Sequence, residues 1–147
     1  MNKTFLVVRT VGWAAVLPAL KRIVPLRVLV RAMWRTPSVG ERDAAQEARV
    51  AALLDRVYRH GRVPRRHNCL ERSLIMYRYL SELNAEPTLM VALKRDAGSL
   101  RGHAWVVVDG NPVAEHPGIV EDYKPVVSFG SQGLVVSGVA EPPERLL

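Results

Sequence analysis

The hydrophobic period of this chain changes once, near Asn84, and that change limits the folds open to it. Before it, apolar residues recur every three or four positions. After it, short β-branched runs are separated by turn signals. The spacing predicts helices over about 3–17, 19–35, 41–59 and 69–83. In the third, Val50, Leu53, Leu54, Val57 and Tyr58 share one face. Gly61 ends that helix, and Asn84 supplies a left-handed cap to the fourth. Strands are expected at Thr88–Lys94, His103–Val108, Pro112–His116, Val126–Phe129 and Leu134–Val139, with a flexible connection over 95–102. Helices followed by strands predict an α+β fold, with one helix packed on a small antiparallel sheet.

The 147 residues suit one core, and 48% apolar content excludes a disordered chain. The single cysteine rules out an internal disulfide and fits a reducing cytoplasm. The net charge of +7 is concentrated at one end: residues 1–40 carry seven Lys/Arg and no Asp/Glu. We therefore divide the chain into a basic helical extension, 1–40, and a main domain, 41–147. Phe5 to Leu20 is apolar but holds Arg9, and Pro18 and Pro25 are expected to break it, leaving it too short to span a bilayer. It also lacks the cleavage site of a signal peptide. The first expectation is a helical hairpin that shows Arg27, Arg31 and Arg35 to solvent or a partner; membrane-surface contact is the second. The high pI alone does not argue for nucleic acid, since no phosphate loop or aromatic–basic surface accompanies it.

The chemistry centres on Cys69. Asn68 precedes it as a helix N-cap and Glu71 follows as in a capping box, so the thiol sits in a first turn. The helix dipole and free N–H groups there favour the thiolate. Gly102-His103-Ala104-Trp105-Val106 places a histidine at a strand start. If the Cys69 helix packs on the strand face carrying His103, Trp105 and Val107, thiol and imidazole meet as a thiolate–imidazolium couple. An acid should orient the imidazole. A three-residue loop Asp109-Gly110-Asn111 would pair Trp105 with Glu115 and bring Glu115 to the His103 face at about 7–8 Å; a two-residue loop would move it to the other face. Asp109, the rival, lies roughly 20 Å away along the strand. The Cys69 N–H is the natural oxyanion donor, with Asn68 or His67 as second. Arg62, Arg65 and Arg66 flank the site as a solvated basic loop or a contact for an acidic peptide. His60, His67, Cys69 and His116 match no familiar zinc spacing, and the thiol chemistry requires no metal or organic cofactor.

The segment Cys69-Leu-Glu-Arg-Ser-Leu, 34 residues before His103-Ala-Trp-Val and its following Asp-Gly, resembles the transglutaminase-like leader peptidases of lasso-peptide biosynthesis. It is most similar to the stand-alone form, whose leader-binding domain is a separate protein. The resemblance covers Arg42 to His116 well and the N-terminal helices less specifically. It implies papain-like logic with a Cys-His-Asp triad, Cys69 as nucleophile and His103 as base. Twelve residues after the histidine this chain has Glu115 where that family has Asp. It further implies removal of the leader from a ribosomally made precursor, a separate leader-recognition protein to deliver that precursor, and an ATP-dependent cyclase acting next. The rival readings are a non-catalytic adaptor of the modification complex, and a thiol acyltransferase or amidase on the same fold.

Overall fold

A computed structural model describes residues 2–60 and 68–138; the side chain of His60 lies outside that description. Five α-helices, five strands and a short 3-10 helix (Ser131–Gly133) occur among the described residues: α1 (Lys3–Ile23), α2 (Leu26–Met33), α3 (Ala44–His60), α4 (Cys69–Glu82), β1 (Thr88–Asp96), β2 (Ser99–Val108), β3 (Asn111–Val113), α5 (Pro117–Val120), β4 (Lys124–Phe129) and β5 (Val135–Gly138). The sheet is antiparallel throughout, in the order β3-β2-β1-β4-β5.

α4 is the hub. Leu74, Ile75, Tyr77, Tyr79 and Leu80 are fully buried, because α1, α2 and α3 pack on α4 and β1 and β2 also lie against it. Buried aromatic and aliphatic side chains of this size supply most of the stability of such a core. α1 and α2 contribute Leu6, Leu17, Leu29, Val30 and Met33 to the same cluster. Polar contacts from α1 add register: Arg9 holds Glu82 at 2.7 Å and Thr10 meets the Tyr79 hydroxyl at 3.3 Å. α3 begins where Asp43 accepts from the N–H groups of Ala45 and Gln46. Its expected stripe is in place, with Val50, Leu54 and Tyr58 buried and Leu53 and Val57 half-buried. Asn84, at φ 62°, is the expected left-handed residue after α4. Gly61, Arg62, Arg65, Arg66 and His67 lie outside the described residues.

Four sequence expectations need correction. Pro18 does not break the first helix: α1 runs through it to Ile23, because the proline is exposed and its lost hydrogen bond falls on the solvent side. The break comes at Val24 and Pro25 instead, and the resulting 21-residue helix is long and apolar enough to cross a membrane by length and composition. Residues 95–102 are not a loose connection: β1 and β2 pair from Thr88↔Val107 to Asp96↔Ser99 around a tight turn, with Ala97 and Gly98 at φ 46° and 83°. The next hairpin also uses two residues, Asp109 and Gly110 at φ 51° and 77°, so Val108 pairs with Asn111 rather than Pro112. Finally, the predicted third strand stops at Val113, and His116 caps the short α5 by accepting from the Gly118 N–H.

Candidate active site

The sheet has two unlike faces. Leu89, Ala104, Val106, Val108, Val127 and Phe129 join the helical core. Their neighbours His103, Trp105, Met90 and Ala92 occupy the opposite face, with cross-strand pairs Ala92↔His103 and Met90↔Trp105. α4 therefore packs on the Ala104–Val106–Val108 face, not on the His103 face as the sequence reading required. Hydrophobic content explains the choice, since that face presents an unbroken aliphatic surface to the Leu70–Leu74 side of α4.

α4 is nevertheless fixed close to His103. The Ser73 hydroxyl donates to the Ala104 carbonyl at 2.9 Å, and Ser73 stands one turn beyond Cys69. The first turn of α4 thus lies near the His103 end of β2, about 6 Å of helix rise from that bond. Cys69 is the first residue of the helix and is half-buried. The capping arrangement differs from expectation: the Asn68 side chain makes no capping bond, and Glu71 points away to pair with Lys21 at 2.9 Å.

The acid is Glu115. Its Oε1 lies 3.4 Å from His103 Nε2, an ion-pair distance without hydrogen-bond geometry among the described residues. The shorter hairpin should have turned Glu115 away from His103 by strand parity. It does not, because Ala114 adopts φ 55° immediately after β3 and takes the chain off the ladder before Glu115. Asp109, the alternative acid, sits in the turn and pairs with Arg42 at 2.6 Å.

Glu115 has a second partner that sequence reasoning missed. Arg72 Nη2 donates to Glu115 Oε1, and both side chains are largely buried, 15% and 8% exposed. Arg72 follows Cys69 by three residues, one helical step along the same flank, and interacts electrostatically with it. Arg72 on α4 is thus joined to His103 on β2 through the Glu115 carboxylate. The i+3 spacing of an arginine from a candidate nucleophile was the available signal. Burial shifts Arg72 downward, yet a guanidinium stays charged at neutral pH.

The imidazole is enclosed. Trp105 stacks on it at 5.7 Å, and Tyr123 lies tilted at 5.1 Å with Lys94 over the Tyr123 ring at 4.9 Å. Burial, then the positive charges of Arg72 and Lys94, lower the His103 pKa from its ordinary 6.5. These effects, with Glu115 shared with Arg72, favour the neutral imidazole, the form that accepts a proton. Of the sequence-predicted residues, His103 and Glu115 meet directly, while Cys69, at the start of α4, makes no hydrogen bond to either among the described residues.

No curated protein and no solved structure shows significant similarity to the chain. A family model described as the transglutaminase-like superfamily matches residues 7–128, taking in α1 through most of β4. A thiol at a helix start, a histidine on the adjoining strand and an acid beside that histidine lie within the matched span, and the chain belongs to the transglutaminase-like superfamily.

Proposed function

We propose that this protein is a cysteine peptidase that removes the leader from a ribosomally made precursor during lasso-peptide maturation. The observation carrying this reading is the His103–Glu115 contact at 3.4 Å beside the first turn of the Cys69 helix. Nε2 of His103 faces the carboxylate, which leaves Nδ1 for the thiol. The neutral imidazole takes the Cys69 proton, and the sulfur attacks the carbonyl at the leader–core junction. The oxyanion is received by the Cys69 N–H, one of the free donors of a helix start. His103 passes its proton to the departing amine as the C–N bond breaks, leaving a thioester on Cys69. Water deprotonated by the same imidazole hydrolyses that thioester and frees the leader. Glu115 holds the ring and offsets the imidazolium as it forms. The freed amine is the group an ATP-dependent cyclase would join to a side-chain carboxylate, and a separate leader-recognition protein delivers the precursor, as the motif resemblance implies. Cytoplasmic action accords with a chain whose one thiol must stay reduced.

The test is a precursor peptide incubated with this protein and the leader-recognition protein, followed by mass spectrometry. Free leader supports peptidase action, and a mass gain on the precursor indicates acyl transfer instead. Cys69→Ala should abolish leader release; an adaptor would leave product formation intact and refute the proposal.

A further inference from the structure

α1 divides its residues unusually. Three polar ones are held against the protein: Thr10 is fully buried against Tyr79, Arg9 is held by Glu82, and Lys21 by Glu71 at 2.9 Å. Leu6 and Leu17 enter the core, but five other large apolar residues point away. Phe5, Val8, Val11, Val16 and Ile23 are 56, 64, 54, 49 and 79% exposed, and Gly12, Ala15, Pro18 and Ala19 between them are exposed too. At 100° per residue these positions fill one continuous arc of the helix. From Phe5 to Ala19 that arc contains no charged residue, and Phe5 to Ile23 covers about 27 Å. Soluble monomers rarely leave a contiguous apolar patch beyond a few hundred Å² uncovered, and larger ones mark a surface that meets something.

The charge around this face identifies what it meets. Lys3 lies at one end of α1 and Arg22 at the other, both exposed. Arg27, Arg31 and Arg35 follow on and after α2, also exposed, with Val28 at 54% among them. No acidic residue occurs in residues 1–40. A protein interface of this length would carry polar groups within or around the patch to set register, at about one hydrogen bond per 100–200 Å². The arc of α1 offers none over four turns, and its side chains are mainly valine and alanine rather than the tryptophan, tyrosine and arginine that anchor protein partners. A uniform apolar face with an exposed cation at each end is the pattern of a helix lying in the headgroup region of an anionic bilayer.

We propose that α1 docks the protein flat on an anionic membrane surface, with Phe5, Val8, Val11, Val16 and Ile23 entering the acyl boundary and the exposed lysine and arginines facing the phosphates. The helix lies on the bilayer rather than crossing it. Crossing would require breaking the Arg9–Glu82, Thr10–Tyr79 and Lys21–Glu71 contacts and withdrawing Leu6 and Leu17 from the core. The active-site residues lie on α4, β2 and the segment after β3, so docking through α1 engages none of them.

Sedimentation of the full-length protein with vesicles tests this. The probes are vesicles of phosphatidylcholine and phosphatidylglycerol in equal parts, and of phosphatidylcholine alone. Wild type should pellet with the mixed vesicles and be released by high salt, and it should bind phosphatidylcholine alone at least about tenfold more weakly. Val8→Asp combined with Val16→Asp should abolish pelleting while near-ultraviolet circular dichroism stays unchanged, since both side chains already face solvent. Arg27→Gln combined with Arg31→Gln, the second variant, should weaken binding to mixed vesicles only. Failure of wild type to pellet overturns the proposal, as does pelleting that survives the aspartate pair. A dimer on gel filtration that the aspartates dissociate, without vesicle binding, would show that a second copy covers the face. Capture of the leader-recognition protein through the same residues, again without vesicle binding, would likewise overturn it.

Discussion

Replacing Arg72 with methionine should destabilise the protein and move the titration of His103 upward together. Arg72 and Glu115 are 15% and 8% exposed, so the carboxylate keeps little water to replace the guanidinium. Removing one partner of a buried ion pair costs about 3–5 kcal/mol, against about 1 kcal/mol or less for an exposed pair. The residual exposure and the nearby imidazole place the expected loss at the lower end, about 3 kcal/mol. For a domain of this size that corresponds to a melting point lower by about 6–12 °C. The same change removes one of the two positive charges that hold the imidazole below 6.5 and leaves Glu115 closer to being His103's own counter-ion, so the His103 pKa rises. Urea unfolding at neutral pH measures the first effect, and an imidazole proton titration by nuclear magnetic resonance the second. Glu115→Gln in the Arg72→Met background should recover most of the lost stability, because the stranded charge is gone. A cost below about 1 kcal/mol, or a His103 midpoint that stays or falls, would refute the shared-carboxylate arrangement.

Three further outcomes follow from the same coordinates. Tyr77 is fully buried, its hydroxyl donating to the Gly130 carbonyl and accepting from the Gly133 N–H at 2.9 Å; Tyr77→Phe strands both groups and should cost about 2–3 kcal/mol in chemical unfolding. Gly133 has φ 67°, and a Cβ there would lie 2.8 Å from the Arg31 backbone; Gly133→Ala should cost about 2 kcal/mol or more by the same assay and loosen α2 from the sheet end. His103 is held below its unfolded value of 6.5, so its contribution to stability is present above that pH and is lost as pH falls toward the lowered folded value. Unfolding free energy should therefore decline as pH falls below about 6.5, and His103→Gln should decline less steeply.

The secondary structure was legible to the extent that local chemistry decides it. Helical spacing in Val50–Tyr58, the asparagine after α4 and the β-branched runs around His103 depend on neighbours within a turn or two; the first lies in α3, the second takes its left-handed conformation and the third lies in β2. Pro18 was misread because a proline's effect depends on whether its side of the helix meets water or core, which is a tertiary property. The Asp109-Gly110 hairpin was read one residue too long, since both loop lengths suit those residue types and pairing across the strands makes the choice.

Sequence alone determined the helices-then-strands order, the candidate trio Cys69, His103 and Glu115, and the excess charge of the first forty residues, because residue type, spacing and charge are local quantities. Tertiary structure decided the rest. Packing put α4 on the aliphatic face of β2 rather than the His103 face, and the positive φ of Ala114 returned Glu115 to His103 against strand parity. The fold also turned α1 so that Arg9 and Lys21 face inward while Val8, Val11 and Val16 face out. Each of these depends on which surfaces are buried together, and burial is a property of the assembled chain rather than of any segment in it.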